Sequence, residues 1–277
     1  MLKQRIITAV LIVAALFVAM AYLSASQLAL LFAAIVLLAA WEWADLSDLS
    51  AVPARLGYVA LIAVLIAASY WHLGAVGEWS PLRLRELLVA ACVWWAVALL
   101  WVKAYPQSAG LWGARPLRVI MGVLVLLPTW WSLSYLRSLD GGVWLIVMLL
   151  ALVAAADVGA YFCGRRFGKA KLAPAVSPGK SWAGFWGGLV CSVVLMAGLW
   201  FSWPGGMPVS LPVMLLLAAI TVLASVLGDL LESMVKRHRG VKDSGQLLPG
   251  HGGIMDRVDS LTAASPVFTL GLMSVGW

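Results

Sequence analysis

Nine apolar runs, near 6 to 23, 27 to 44, 57 to 73, 87 to 102, 118 to 136, 142 to 163, 182 to 203, 209 to 230 and 261 to 276, occupy most of this 277-residue chain. Most are close to the ~20 residues that an α-helix needs to cross the hydrocarbon of a bilayer with its own backbone amides satisfied. No intervening stretch is long enough for a soluble domain. At 63% hydrophobic and 11% charged, the chain is far from a soluble domain, of which about a quarter is charged. The expected fold class is all-α, a polytopic integral membrane protein with about nine (eight to nine) transmembrane helices.

The first run has the basic start and apolar body of a signal peptide, but it is long and a second apolar run follows almost at once. It reads as an uncleaved first span. The last run is short and carries Pro266 and glycines. Trp41, Trp43, Trp71, Trp101, Trp130, Trp131 and Trp203 fall near run ends, where indole rings suit the headgroup level. Cys92, Cys163 and Cys191 lie scattered in apolar stretches, which fits buried thiols better than a disulfide framework or a zinc site.

With the amino terminus cytoplasmic, sixteen of the nineteen Lys and Arg residues fall on the inner side, and only Arg83, Arg85 and Arg137 fall outside. The positive-inside rule then sets the orientation. Topology does not require the clustering, however: ten of the sixteen sit in two loops, 164–181 and 231–260. Two basic loops at one membrane face suit a negatively charged ligand, so the active site is expected at the cytoplasmic face of an inner-membrane protein.

Asp157 and Asp229 lie inside or at the end of apolar runs. A carboxylate at membrane depth costs a few kcal/mol, so it is normally paired or functional. If the helix continues past Asp229, then Asp229, Glu232, Ser233 and Lys236 share one face. The same spacing groups Asp256, Asp259 and Ser260. The plain alternative is a pair of solvated helix ends with local ion pairs. Oxygen donors without cysteine or paired histidines select a hard cation, most simply Mg²⁺ with substrate phosphate completing its shell. Asp229 and Asp256 are the expected ligands, with Asp157 and Glu232 as weaker candidates and room for a second cation. With cations alongside, this chemistry suits phosphoryl or nucleotidyl transfer.

Between the acidic groups lie Gly240, Gly245, Pro249, Gly250, Gly252 and Gly253, a backbone suited to close approach and to an amide cradle for anions. The GKS at 179–181 invites a P-loop reading but fails it, because Pro174 stands where the first glycine belongs and no strand is expected before it. Lys180 and Ser181 instead stand at the amino end of a span, where free amides favour an anion. Gly184 and Gly188 suit close helix packing.

Taken together, Ser233, Lys236, Arg237, Lys242, Asp243, Pro249, His251, Gly252, Gly253, Asp256, Arg257 and Asp259 resemble, element by element, the signature of the phosphatidate cytidylyltransferases, or CDP-diacylglycerol synthases. Asp157, Tyr161, Gly164, Gly168 and Lys169, and Ser177, Pro178, Lys180 and Ser181, are similar to further segments of that family. Ser181 stands where the family commonly has Thr, and Ala183 where it often has an acid, which puts a carboxylate role at 183 in doubt. The resemblance is strong over the carboxyl-terminal half. The first 140 residues match only as a set of spans.

The resemblance implies transfer of the cytidylyl group from CTP to phosphatidate, with Mg²⁺, at the cytoplasmic face. Lys236, Arg237, Lys242 and Arg257 would neutralise phosphate charge, His251 would donate to a phosphate oxygen, and Asp243 and Asp259 would orient basic residues or metal-bound water. Ser177, Lys180, Ser181, Ser233, Gly252 and Gly253 would complete the substrate site. The expected division is 1–140 as membrane spans and 141–277 as the catalytic region, including loops 164–181 and 231–260. Expected partners are CTP, phosphatidate and the bilayer, with a homodimer compatible and nucleic acid excluded. A CTP-dependent lipid kinase or another lipid-phosphate transferase is the alternative within enzymes, and a transporter of phosphorylated anions is the alternative outside them.

Overall fold

The computed structural model describes residues 2–203, 205–248, 250 and 252–277. Ten helices follow in order: α1 (Leu2–Tyr22), α2 (Ala25–Leu46), α3 (Val52–Leu73), α4 (Pro81–Lys103), the single turn α5 (Ala109–Trp112), α6 (Arg115–Ser138), α7 (Gly142–Phe167), α8 (Trp182–Ser202), α9 (Leu211–Arg239) and α10 (Met255–Ser274). Among the described residues seven of them, α2, α3, α4, α6, α7, α8 and α9, are long and apolar enough to cross a membrane. The chain is a polytopic membrane protein, and all nine apolar runs become helices.

The helix starts follow local chemistry. Pro53, Pro81, Pro116 and Pro212 stand in the first turns of α3, α4, α6 and α9, where a missing N–H leaves no bond unmade. Ser24 caps α2 in a reciprocal capping box with Gln27. Pro266 lies within α10 without ending it. Helix α9 runs well beyond its apolar run and stops at Gly240, a left-handed residue at φ 78 that few other residues adopt cheaply.

The fold is not purely helical. Between α7 and α8 the chain forms a hairpin, β1 (Lys171–Ala173) against β2 (Ser177–Ser181), with Lys171 opposite Ser181 and Ala173 opposite Ser177. The 164–181 segment is therefore a built element rather than an open loop, and Lys180 and Ser181 end a strand. The P-loop geometry still does not arise, because the lysine lies on the strand itself.

Helices α7 and α8 pack closely through glycine: a Cβ on Gly188 would meet the carbonyl oxygen of Ala156, and one on Gly159 the carbonyl oxygen of Gly187. Helix α9 packs against α8 and α10, and α10 also packs on α4 and α6. Trp43 and Trp130 are fully buried and donate their indole N–H groups to the carbonyls of Arg118 and Ala29 at 2.8 and 2.9 Å. These two rings are enclosed by protein rather than turned outward, whereas Trp71 is exposed. Cys92 and Cys163 are half-buried, Cys191 is exposed, and all three are free, so the thiols are unpaired but less enclosed than expected.

At one end of the bundle, ion pairs fasten the amino-terminal helices to α9. Asp48, which follows α2 at φ 60, receives the Arg118 guanidinium of α6, and Arg239 of α9 approaches it at 3.1 Å. Arg55 holds Asp45 at 2.6 Å. These contacts bring the end of α9 under the end of α2.

Candidate active site

Asp229 is set on α9 three turns before its end, and the continuation of the helix to Arg239 places its neighbours. Ser233 donates its hydroxyl to Asp229 Oδ1 at 3.2 Å, as the four-residue spacing requires. The ammonium that meets Asp229 Oδ2 is not Lys236 from its own helix but Lys180 from β2, at 2.6 Å. Ser181, next to it, caps α8 by accepting the Gly184 N–H at 3.2 Å.

Lys180, Ser181, Asp157 and Asp229 line one cavity of about 430 Å³ together with Tyr161 and Gly164. Its walls are α7, α8, α9 and the hairpin, and Gly164, Gly184 and Gly188 line it where α7 and α8 approach too closely for side chains. A cavity of this size takes a ligand group rather than a single ion.

Lys236 serves a second, deeper cluster. Its Nζ lies 2.5 Å from Glu232 Oε2 and 2.6 Å from Asp256 Oδ1. Glu232 is 1% exposed, and its Oε1 has no partner among the described residues. The single face expected for Asp229, Glu232, Ser233 and Lys236 is therefore divided between two clusters, with Asp229 and Ser233 toward the hairpin and Glu232 and Lys236 toward α10. Asp259 lies close enough to Asp229 and Glu232 for their charges to interact, and it accepts the N–H of Ser260 at 2.6 Å.

Asp256 also shapes the loop before α10. Its Oδ2 accepts the backbone N–H groups of Ser244 at 3.0 Å and Gly253 at 2.8 Å. The N–H of Gly253 is thereby committed within the loop. Gly252, at φ 80, accepts the N–H of Leu248 at 2.9 Å.

The other expected residues are more peripheral. Arg237 ties α9 to the hairpin turn by donating to the carbonyl of Val176 at 3.3 Å. Ser177 pairs with Ala173 in the hairpin. Lys242, Asp243 and Arg257 are exposed and make no ion pair among the described residues. His251 lies outside the described residues.

The sequence reading overlooked Glu42. This acid of α2 is 2% exposed and meets the loop before α10, accepting from the Ser244 hydroxyl and from the N–H groups of Ile254 and Met255. The signal was present: an acid inside the run at 27 to 44 meets the same criterion that singled out Asp157.

Among the described residues no group of three or more His, Cys, Asp and Glu side chains could hold a metal ion by itself. The donors present nonetheless fit Mg²⁺, which takes one or two protein carboxylates and fills its shell with water and phosphate oxygens. Asp229 opens onto the cavity, and the unpartnered Oε1 of Glu232 adds a buried acceptor nearby.

Known proteins give the same direction. A family model described as "Cytidylyltransferase family" matches residues 3–275. The chain is 47% identical over 277 residues to a phosphatidate cytidylyltransferase of Pseudomonas aeruginosa, covering 100% of this chain and 99% of the relative. A protein of the same name from Haemophilus influenzae is 41% identical over 285 residues, covering 97% and 98%. One from Brucella suis is 50% identical over 143 residues, covering 50% and 51%.

Proposed function

The chain belongs to the cytidylyltransferase family, and from that premise we propose that it is a phosphatidate cytidylyltransferase, converting CTP and phosphatidate to CDP-diacylglycerol and pyrophosphate. The observation that carries this reading beyond family membership is the Lys180–Asp229 pair inside a cavity bounded by three apolar helices. A cation and a carboxylate at the edge of the bilayer suit a lipid phosphate that arrives sideways with its headgroup at the interface.

An oxygen of the phosphatidate phosphate attacks the α-phosphorus of CTP in line. A new P–O bond forms, the bond from the α-phosphorus to the β-bridging oxygen breaks, and pyrophosphate leaves with that electron pair. The attacking oxygen is already anionic, so no general base is required, and positioning and charge neutralisation supply most of the catalysis. Lys180 holds phosphate oxygens in the cavity, exchanging part of its contact with Asp229 for the substrate. Lys236 stays within its carboxylate cluster and fixes Asp256 against α9. Arg257, Lys242 and Arg237, exposed at the same end, neutralise charge on the nucleotide and on pyrophosphate, and with substrate bound Asp243 and Asp259 would orient basic residues or metal-bound water.

Asp229 and Asp256 would hold Mg²⁺, with Asp157 and Glu232 nearby for a second cation. When bound, Mg²⁺ would neutralise negative charge on the triphosphate oxygens.

We place the site at the cytoplasmic face of the inner membrane, with nine spans once α1 and α10 join the seven long apolar helices. The clustering of sixteen of nineteen cations on one side supports this orientation. The test uses membrane vesicles from cells expressing the chain, compared with vector controls. Inverted vesicles given external CTP and Mg²⁺ should form CDP-diacylglycerol from phosphatidate, and right-side-out vesicles should not. No excess product in either preparation would remove the proposed reaction, and product only in right-side-out vesicles would reverse the orientation.

A further inference from the structure

We propose that Glu42, on a helix remote in sequence from every expected site residue, is a positioning residue that sets the loop carrying Asp256. This rests on the cytidylyl-transfer reading above and adds a member to that machinery.

Glu42 Oε1 accepts the N–H of Ile254 at 3.0 Å, and Oε2 accepts the N–H of Met255 at 2.8 Å and the hydroxyl of Ser244 at 2.9 Å. Ile254 is the N-cap and Met255 the first residue of α10, so a carboxylate from α2 takes the amides at its amino end and complements its dipole. Asp256, one residue on, takes two further donors of the same loop, the N–H groups of Ser244 and Gly253. Ser244 is therefore bound through its hydroxyl to Glu42 and through its amide to Asp256. The two carboxylates hold one loop through different donors.

The glycine pattern has the same origin. A Cβ on Gly245 or Gly253 would collide with the Glu42 carboxylate, and on Gly253 also with the Ser244 hydroxyl. These glycines admit Glu42 to the loop, a role that a phosphate cradle alone does not explain. The placement of Asp256, and through it of Lys236, thus depends on an acid some two hundred residues earlier in the chain. Trp43, the next residue, anchors α2 to α6 by donating to the carbonyl of Arg118, a bond outside the loop, so it separates helix anchoring from loop positioning.

The experiment compares the purified full-length wild type with Glu42→Gln, Glu42→Asp, Ser244→Ala and Trp43→Phe in detergent, measuring thermal unfolding and the kinetics of CDP-diacylglycerol formation. Gln keeps the size but replaces one acceptor oxygen with a donor facing the loop amides. Glu42→Gln should lower kcat by more than about tenfold with the KM for phosphatidate changed less than about twofold. Glu42→Asp should recover part of the loss. Trp43→Phe, where its unfolding temperature falls by a similar amount, should keep kcat near the wild-type value. If kcat follows unfolding temperature equally in Glu42→Gln and Trp43→Phe, Glu42 only stabilises the bundle and the proposal fails. Should Glu42→Gln not fold, Ser244→Ala decides: a several-fold loss of kcat at unchanged unfolding temperature supports positioning, and unchanged kcat overturns it. A wild type without activity would instead refute the cytidylyl-transfer reading.

Discussion

The Lys180 ammonium stands 2.6 Å from the Asp229 carboxylate, joining the β-hairpin before α8 to the interior of α9. Each side chain is about a quarter exposed, at 27% and 28%, so the pair contributes little to stability. Its importance lies in substrate handling. Lys180→Met should leave the unfolding temperature nearly unchanged while lowering kcat/KM about 30- to 100-fold, the equivalent of 2 to 3 kcal/mol of transition-state stabilisation. Steady-state assays on matched preparations check this, and an equal loss of stability and activity would mean that the pair is a strut.

Lys236 shows the opposite balance. It neutralises two carboxylates, one of them almost fully buried, and removing one partner from such a group costs about 3 kcal/mol or more. Lys236→Met should lower the unfolding temperature by roughly 6 to 12 °C, and Glu232→Gln by less, because the remaining Lys236–Asp256 pair stays intact. Differential scanning fluorimetry in detergent distinguishes the two variants.

Acid should loosen the end of the bundle at Asp48. The hydrogen bond from Arg118 holds the Asp48 carboxyl below its ordinary value of 3.8, against a smaller push from burial. A carboxyl depressed in the folded state stabilises above its unfolded value, and that contribution is lost as pH falls through the folded value. Thermal stability should therefore hold steady from pH 7 toward 5 and drop below about pH 4. Asp48→Asn should start lower at neutral pH and show a shallower acid loss.

Much of this was legible because lipid is a demanding solvent. Long apolar runs must be helices, and acids such as Asp229 among them need partners. What stayed hidden was which partner each would meet. The spacing along α9 brings Lys236 near Asp229, but Lys180 claims Asp229 only through the hairpin, whose three- and five-residue strands are too short to show a period. Trp43 and Trp130 sit near run ends and are nevertheless interior, because each finds a backbone carbonyl there. Glu42 escaped notice because Asp45 and Asp48 follow it closely and make the segment resemble an ordinary polar helix end.

Helix spacing around the cavity can be tested at Gly188, where a side chain would meet the Ala156 carbonyl oxygen. Gly188→Val should cost about 1 to 3 kcal/mol through overpacking and raise the KM for phosphatidate more than that for CTP. Unchanged lipid kinetics would place the lipid elsewhere.

Metal dependence follows from the oxygen donor set. Chelation with EDTA should reduce activity to background, and Mg²⁺ should restore it. Asp229→Asn should need more Mg²⁺ for half-maximal activity if any rate remains, and retention of wild-type Mg²⁺ dependence in both Asp229→Asn and Asp256→Asn would rule out these carboxylates as ligands.

The most direct measurement follows the phosphorus. Purified protein in liposomes with phosphatidate would receive CTP labelled at the α-phosphate in one reaction and at the γ-phosphate in another. Cytidylyl transfer places the α-label in the lipid and the γ-label in released pyrophosphate. A γ-labelled lipid with free CDP would make the protein a kinase instead, and would overturn the reading of its site as a lipid nucleotidyltransferase.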